Sequence, residues 1–383
     1  MKIAILGKGT VGGGVVEILD NRGISGQNIE IKRILELEPS ETDSRVTTNF
    51  EDIVNDPEIT CVVECIGGVD PAYGYIKRSM SAGKHIVTSN KAVVSEHYAE
   101  FVELSKANNV SLHLEACAGG GIPWINAILR AKRIDKITAF SGIINGTSNF
   151  IIDRMEKENA DFTDVLKVAQ RLGYAEKNPS ADIDGWDVRA KAMISGSICF
   201  DTVCDLEAIP TCGIRSLTKT DIEIFEEMGL RVRMIARGTC SRDSYFICVE
   251  PELSEINTLE ANTPGYFNTV TLTGETIGEL KFFGAGAGAL PTANAIVQDL
   301  IDLSDGINPV YNTQNELNIE PELMLSSYVF RTEADSALPR RALLIRPGYY
   351  EITSIYPTEA HKILNKLLPE DPNTFMASLQ KAI

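Results

Sequence analysis

The segment Gly173–Lys191, GYAEKNPSADIDGWDVRAK, sets four carboxylates (Glu176, Asp182, Asp184, Asp187) around Gly and Pro turns and ends on Lys191. Asp187 and Lys191 are four apart, so on a helix they share one face. On a surface such a pair contributes only about 0.5 kcal/mol. Here the following residues 192–200, AMISGSICF, are apolar all round, which predicts a buried helix that draws Lys191 inward. Nearby carboxylates then tune the proton affinity of the lysine, and a lysine so placed suits proton transfer.

The second group is Gly7-Lys8-Gly9-Thr10-Val11-Gly12, a G-x-G-x-x-G pattern directly after the apolar run Lys2–Leu6 and opening an apolar helix. In that context Gly7 permits the tight turn, Gly9 lets a pyrophosphate approach the backbone, and Gly12 allows close helix–strand packing. The amides of the helix start face the anion. The next strand ends in Glu36-Leu37-Glu38, and either glutamate is placed to accept the adenosine ribose hydroxyls of NAD and to repel a 2′-phosphate. Arg45 is the first basic residue after this strand, so NAD is favoured over NADP. Hydride transfer to a carbonyl needs a proton donor near the nascent alkoxide. The chain has four histidines, two in strand-like runs (His85, His113) and two on helices with polar faces (His97, His361), so a lysine is the better candidate.

The elements that must hold these groups alternate. Strands are predicted at 2–6, 29–35, 59–65, 85–88 and 110–114, and helices at 11–19, 71–82 and 96–108, which predicts a doubly wound parallel sheet over residues 1–135, completed by a helix at 291–303. From 137 the rhythm changes. A strand at 137–144, a helix-rich stretch to 200 and strands at 230–236, 244–249, 268–272 and 279–283 predict a second, α+β domain over 136–290. Residues 311–383 form a C-terminal extension ending in a strand and a helix (350–356, 358–367).

With 383 residues and 44% hydrophobic content the chain can bury two cores. A net charge of −17 disfavours nucleic acid and anionic membranes as partners. No apolar run reaches the roughly 18 residues of a membrane span, and the N-terminal run reads as a strand rather than a signal peptide. The eight cysteines show no metal spacing and sit mostly in apolar company, as expected of a cytoplasmic protein.

The sequence resembles the homoserine dehydrogenase family from residue 1 to about 303. The resemblance rests on GKGTVGGG at 7–14, Thr88-Ser89-Asn90-Lys91, EACAGGGIP at 115–123, GIINGTSN at 142–149, the acid-rich segment, and FGAGAG at 283–288 followed by Pro291-Thr292-Ala293. It implies reversible NAD- or NADP-dependent interconversion of L-homoserine and L-aspartate 4-semialdehyde, with a small-molecule substrate and a homodimer joined through the second domain. Lys191 corresponds to the proton donor, Lys91 to a lysine near the nicotinamide, and Glu176, Asp182 and Asp187 to substrate contacts. Gly67, Ser89 and Gly288 join Gly7, Gly9, Thr10, Val11, Gly12 and Glu36 or Glu38 along the cofactor. Glu115 with the carbonyls of Ala118, Gly120 and Ile122 resembles a site for a monovalent cation, Na+ or K+, and an oxygen-only donor set suits a hard ion. Many relatives carry a C-terminal ACT module. Here 327–333 and 350–367 match its first and last pieces, and the stretch between them is too short for the rest, so a truncated version is expected.

Two other readings compete. Other small-substrate dehydrogenases, of amino-acid or saccharopine type, share the dinucleotide fold but do not require the 145–149 and 176–191 blocks together. A nucleotide-sensing regulator would be expected to lack Lys191 or Lys91, and both are present.

Overall fold

The computed structural model describes residues 1–22 and 28–379; residues 23–27 of the expected first domain and 380–383 of the expected extension lie outside the described residues. The chain divides into two compact units. One comprises Met1–Ile134, Ser197–Cys204 and Gly284–Asn315; the other comprises Asp135–Gly196, Asp205–Phe283 and Glu316–Ile383.

The first unit is built on β1 (Lys2–Leu6), β2 (Glu30–Leu35), β3 (Val46–Thr47), β4 (Ile59–Glu64), β5 (His85–Thr88) and β6 (Leu112–His113), with α1 (Thr10–Glu17), α2 (Glu51–Val54), α3 (Ala72–Ser81), α4 (Lys91–Ala107) and α5 (Trp124–Ala131). The strand order is β3-β2-β1-β4-β5-β6, all parallel. Strand β1, KIAIL, is buried from its second residue on, as a strand covered on both faces must be. Ile3 and Ile5 are fully buried with Val15, Ile34, Val63 and Val87, and each such side chain contributes roughly 1.5–3 kcal/mol. The strand order reverses between β1 and β4, which opens a crevice at their carboxyl ends.

The second unit begins with β7 (Ile137–Ile143), α6 (Gly146–Glu158), α7 (Phe162–Arg171), α8 (Ser180–Ile183), α9 (Trp186–Phe200, its residues from Ser197 on assigned to the first unit) and α10 (Lys219–Glu227). It continues through β8 (Leu230–Cys240), β9 (Ser244–Glu255), β10 (Phe267–Gly274) and β11 (Gly278–Ala285). Helix α11 (Ala289–Ser304) belongs to the first unit, where a Cβ on Gly14 of α1 would press on the Ala289 carbonyl and Ala293 at 2.9 Å.

The C-terminal segment pairs into the second sheet. It supplies β12 (Asn318–Ile319), β13 (Ser326–Arg331), β14 (Leu343–Arg346), β15 (Tyr349–Ile355), α12 (Pro357–Leu367) and β16 (Phe375–Leu379). The ten-stranded sheet runs β11-β10-β7-β8-β9-β16-β13-β15-β14, with β12 on β9, and β16 joins β9 in parallel. From β13 on, the spatial order β16-β13-β15-β14 is fourth, first, third, second, the order of a split βαβ unit. The stretch between β13 and β15 therefore has room for a strand. Only the first crossover helix is missing, replaced by the short turn Asp335–Ala337. Helix α12 seals this part with Ile363, Leu364 and Leu367 against Tyr328, Phe330, Ile352 and Met376.

Candidate active site

Strand β7 leads straight into α6 through Ile144 and Asn145. Asn145 is extended and caps α6, its Oδ1 accepting the Ser148 N–H at 2.8 Å. That leaves the Nδ2 group free to point away from the helix, and it donates to Asp182 Oδ1 at 2.7 Å and Asp187 Oδ2 at 2.9 Å. Asp182 stands on α8 and Asp187 in the first turn of α9, so one amide fastens three elements. Lys191 follows one turn later on α9. Its Nζ donates to Asp187 Oδ2 at 2.7 Å and to the Ile144 carbonyl at 2.8 Å. The Lys191 and Asp187 side chains are 11% and 8% exposed, so this is not the solvated surface pair that spacing alone allows. Two of three ammonium N–H groups are used, and the third can serve a substrate oxygen.

Glu176 is not drawn into this cluster. Its side chain is exposed and makes no hydrogen bond among the described residues; only its backbone carbonyl is held, by Gln170. Sequence reasoning gave Asn145 and the Ile144 carbonyl no role. The available signal was an amide at a strand-to-helix junction beside an acid-rich segment.

In the first unit the glycine turn closes between β1 and α1. Gly7 has φ +88, and a Cβ on Gly12 would collide with the Gly7 carbonyl oxygen. Nothing lies within 4 Å of a Cβ built on Gly9, which is the open approach a pyrophosphate needs. Thr10 and Val11 are the first residues of α1, whose opening N–H groups have no partner within the helix. Gly67, after β4, likewise has open space at its Cβ position.

The structure separates the two candidate glutamates. Glu36 at the end of β2 accepts the Lys8 N–H of the glycine turn, whereas Glu38 is exposed with no hydrogen bond among the described residues. The cations near Glu36 are already paired. Arg45 holds Asp20 through both terminal nitrogens (2.9 and 2.7 Å) and Asp43 through Nε at 2.9 Å, and Lys8 Nζ donates to Asp43 at 3.1 Å. Arg45 in turn holds the Asp43 carboxyl far below the usual carboxylate range.

Lys91 opens α4 behind the cap Asn90, whose side chain accepts the Val93 N–H. The fully buried Glu64 fixes this corner, accepting from Thr88 Oγ1 at 2.6 Å, Asn90 Nδ2 at 3.3 Å and the Ile66 N–H at 2.8 Å. Desolvation raises its carboxyl above the usual range despite these donors. The Ser89 N–H donates to the Glu64 carbonyl at 3.3 Å, so the Gly67 and Lys91 turns are tied together. Glu64 was missed from sequence because it sits inside an apolar strand-like run.

Glu115 is 3% exposed. Its Oε1 and Oε2 accept the N–H groups of Ile125 and Asn126 at 3.1 and 2.7 Å, in the first turn of α5. Desolvation and the neighbouring Asp299 nevertheless push it up to about 8. Ala118, Gly120 and Ile122 lie on the loop between Glu115 and α5; Gly120 has φ +60 and abuts the Gly286 backbone. Gly288 has φ +125 and caps α11, beside the α1 contact made by Ala289.

Comparison with known proteins matches both parts of the chain. Residues 7–115 match the NAD binding domain of homoserine dehydrogenase, and residues 123–301 match the homoserine dehydrogenase family model. The homoserine dehydrogenase of Synechocystis sp. is 38% identical over 320 residues, spanning 79% of this chain and 73% of that one. That of Pseudomonas aeruginosa is 35% identical over 312 residues, spanning 79% and 72%. The crystal structure of a homoserine dehydrogenase from Thiobacillus denitrificans superposes with a TM-score of 0.86 at 30% identity, covering 100% of this chain and 98% of that one. On these grounds the chain belongs to the homoserine dehydrogenase family.

Proposed function

We propose that the protein interconverts L-homoserine and L-aspartate 4-semialdehyde, with Lys191 as the group that gives and takes the hydroxyl proton. The observation that carries this is the Lys191 ammonium, on a side chain only 11% exposed, held by Asp187 and the Ile144 carbonyl with one N–H left over. In the reducing direction that N–H donates to the aldehyde oxygen, and the proton passes to the oxygen as the hydride reaches carbon. In the oxidising direction the neutral amine takes it back. A positioned general acid is worth roughly 10²–10⁴ in rate. Asp187 keeps the lysine in place, and Asp182 and Asp187 suit the substrate ammonium, with Glu176 as a more exposed carboxylate of the same segment.

The glycine turn, Thr10, Val11, Glu36, Gly67, Ser89, Lys91 and Gly288 would hold a nicotinamide dinucleotide, which when bound supplies or accepts the hydride. NAD is preferred over NADP, because Glu36 adjoins the turn while Arg45 and Lys8 are occupied by Asp20 and Asp43. Glu38, exposed and unbonded, has no part in this choice. Glu115 with the Ala118, Gly120 and Ile122 carbonyls would take Na+ or K+. The working form is a cytoplasmic homodimer joined through the second unit, and residues 311–383 are a reduced ACT-like extension. No helix among the described residues is long and apolar enough to cross a membrane.

The test is NAD(H) turnover with homoserine or the semialdehyde against other amino alcohols, repeated with NADP(H). Equal rates across amino alcohols would overturn the substrate assignment.

A further inference from the structure

Strand β6 is the outer strand of the first sheet, and a cavity of about 590 Å³ lies in this unit beside His113 of β6, the end of α5, Asp302 of α11 and residues 307–310. It is not the cofactor crevice. β6 is three strand positions from β1, roughly 14 Å at the usual interstrand spacing.

Three observations point to a role in binding. Arg130 and Arg133 line it, both exposed, and neither guanidinium has a carboxylate partner among the described residues. In a chain with 36 basic and 53 acidic residues, two such neighbours stand out. Lys132 between them is already held by Asp201 at 2.5 Å and by the Ile198 carbonyl, which leaves Asp302 as the other carboxyl group on the wall. Second, His113 lines the cavity and is 2% exposed; its Nδ1 lies 3.7 Å from Asp299, but its buried Nε2 has no hydrogen-bond partner. A buried polar atom left unpaired calls for a partner that the chain itself does not supply. Third, the exposed Ile307 and Val310 line the same cavity, as does Leu129, and give it an apolar part.

We propose that this cavity binds a small anion with a short apolar body, a carboxylate or a phosphate monoester, with its charge on Arg130 and Arg133 and a polar atom on His113 Nε2. Guanidinium groups suit both anions through paired N–H donors. The wall is also mechanically joined to Glu115, because the Asn126 N–H that holds Glu115 Oε2 belongs to a residue that lines the cavity. An occupant therefore bears on the helix that carries the Glu115 loop.

The experiment uses the full-length protein and two probes, inorganic phosphate and 4-methyl-2-oxopentanoate, titrated calorimetrically alone and in competition. The wild type is compared with Arg130→Gln/Arg133→Gln and Arg130→Lys/Arg133→Lys. Saturable one-to-one binding of at least one probe is expected, weakened about tenfold or more by the glutamine pair and partly restored by the lysine pair. NAD(H) turnover without probe should be unchanged in both variants, since neither arginine belongs to the site described above. Competition between the probes shows that the anion alone is recognised, whereas binding of only one assigns the carboxylate or the phosphate class. No saturable binding of either probe up to ~10 mM, which corresponds to about −2.7 kcal/mol, or equal affinity in the glutamine variant, overturns the proposal.

Discussion

Lys191 Nζ lies 2.7 Å from Asp187 Oδ2, and that same oxygen accepts the Asn145 amide at 2.9 Å, so the lysine and its carboxylate are held in one geometry before any substrate arrives. The first prediction follows from this pair. Lys191→Ala removes the proton donor and should lower kcat by about 10²–10⁴-fold. NAD(H) affinity, measured by fluorescence titration, should stay near wild type because the glycine turn belongs to the other unit. Near-wild-type turnover would reduce Lys191 to an ordinary ion-pair residue.

Asn145 has two separable duties, and two substitutions divide them. Asn145→Ser keeps a side-chain cap for α6 but cannot reach both Asp182 and Asp187. It should melt close to wild type, yet lose activity as the two carboxylates separate. Asn145→Ala loses the cap as well and should cost about a further 1 kcal/mol in stability. If the serine variant keeps full kcat and KM, the bridging amide is a capping residue only.

These two residues mark how far sequence reasoning reaches. Lys191 and Asp187 were legible because i,i+4 spacing on an apolar helix is a local pattern. The parallel sheet was legible for the same reason, as β1, β4 and β5 are short runs rich in apolar residues beside helical periods. Asn145 was not legible as a bridge, because its partners lie 37 and 42 residues away and only tertiary packing brings them in. Glu64 hid in an apolar strand. The strand Phe375–Leu379 was missed because its pairing to β9 and β13 is decided by the sheet and not by its own five residues. The choice between Glu36 and Glu38 needed the Lys8 amide, 28 residues from Glu36.

Glu115 supplies the third prediction. Sodium or potassium chloride should raise the melting temperature of the wild type above that in choline chloride of equal ionic strength. Ligand linkage allows about 2.7 kcal/mol of stabilisation at a hundred times the dissociation constant. Glu115→Gln removes the only charged donor of the proposed set and should abolish the difference between the salts. The same sodium or potassium response in the variant would remove Glu115 from any cation site, leaving it as an acid held by the Ile125 and Asn126 amides.

The last prediction concerns cofactor choice, where the paired cations decide the sign. With NADP bound in this crevice, the 2′-phosphate would meet Glu36, while Arg45 and Lys8 are committed to Asp20 and Asp43. Like-charge contact at that range costs on the order of 1–3 kcal/mol after screening, or roughly 10- to 100-fold in affinity. The wild type should therefore show the higher kcat/KM with NAD. Leu37 is 97% exposed, so replacing it disturbs no core. Glu36→Ser combined with Leu37→Arg should narrow the gap by removing the repelling carboxylate and adding a phosphate partner. Glu38→Ser alone should leave the ratio unchanged, since Glu38 bonds to nothing near the glycine turn among the described residues. Steady-state kinetics with both cofactors at equal concentration decide the matter. A wild type that prefers NADP would mean that Arg45 or Lys8 leaves Asp43 to take the phosphate, and Asp43→Asn would then strengthen that preference.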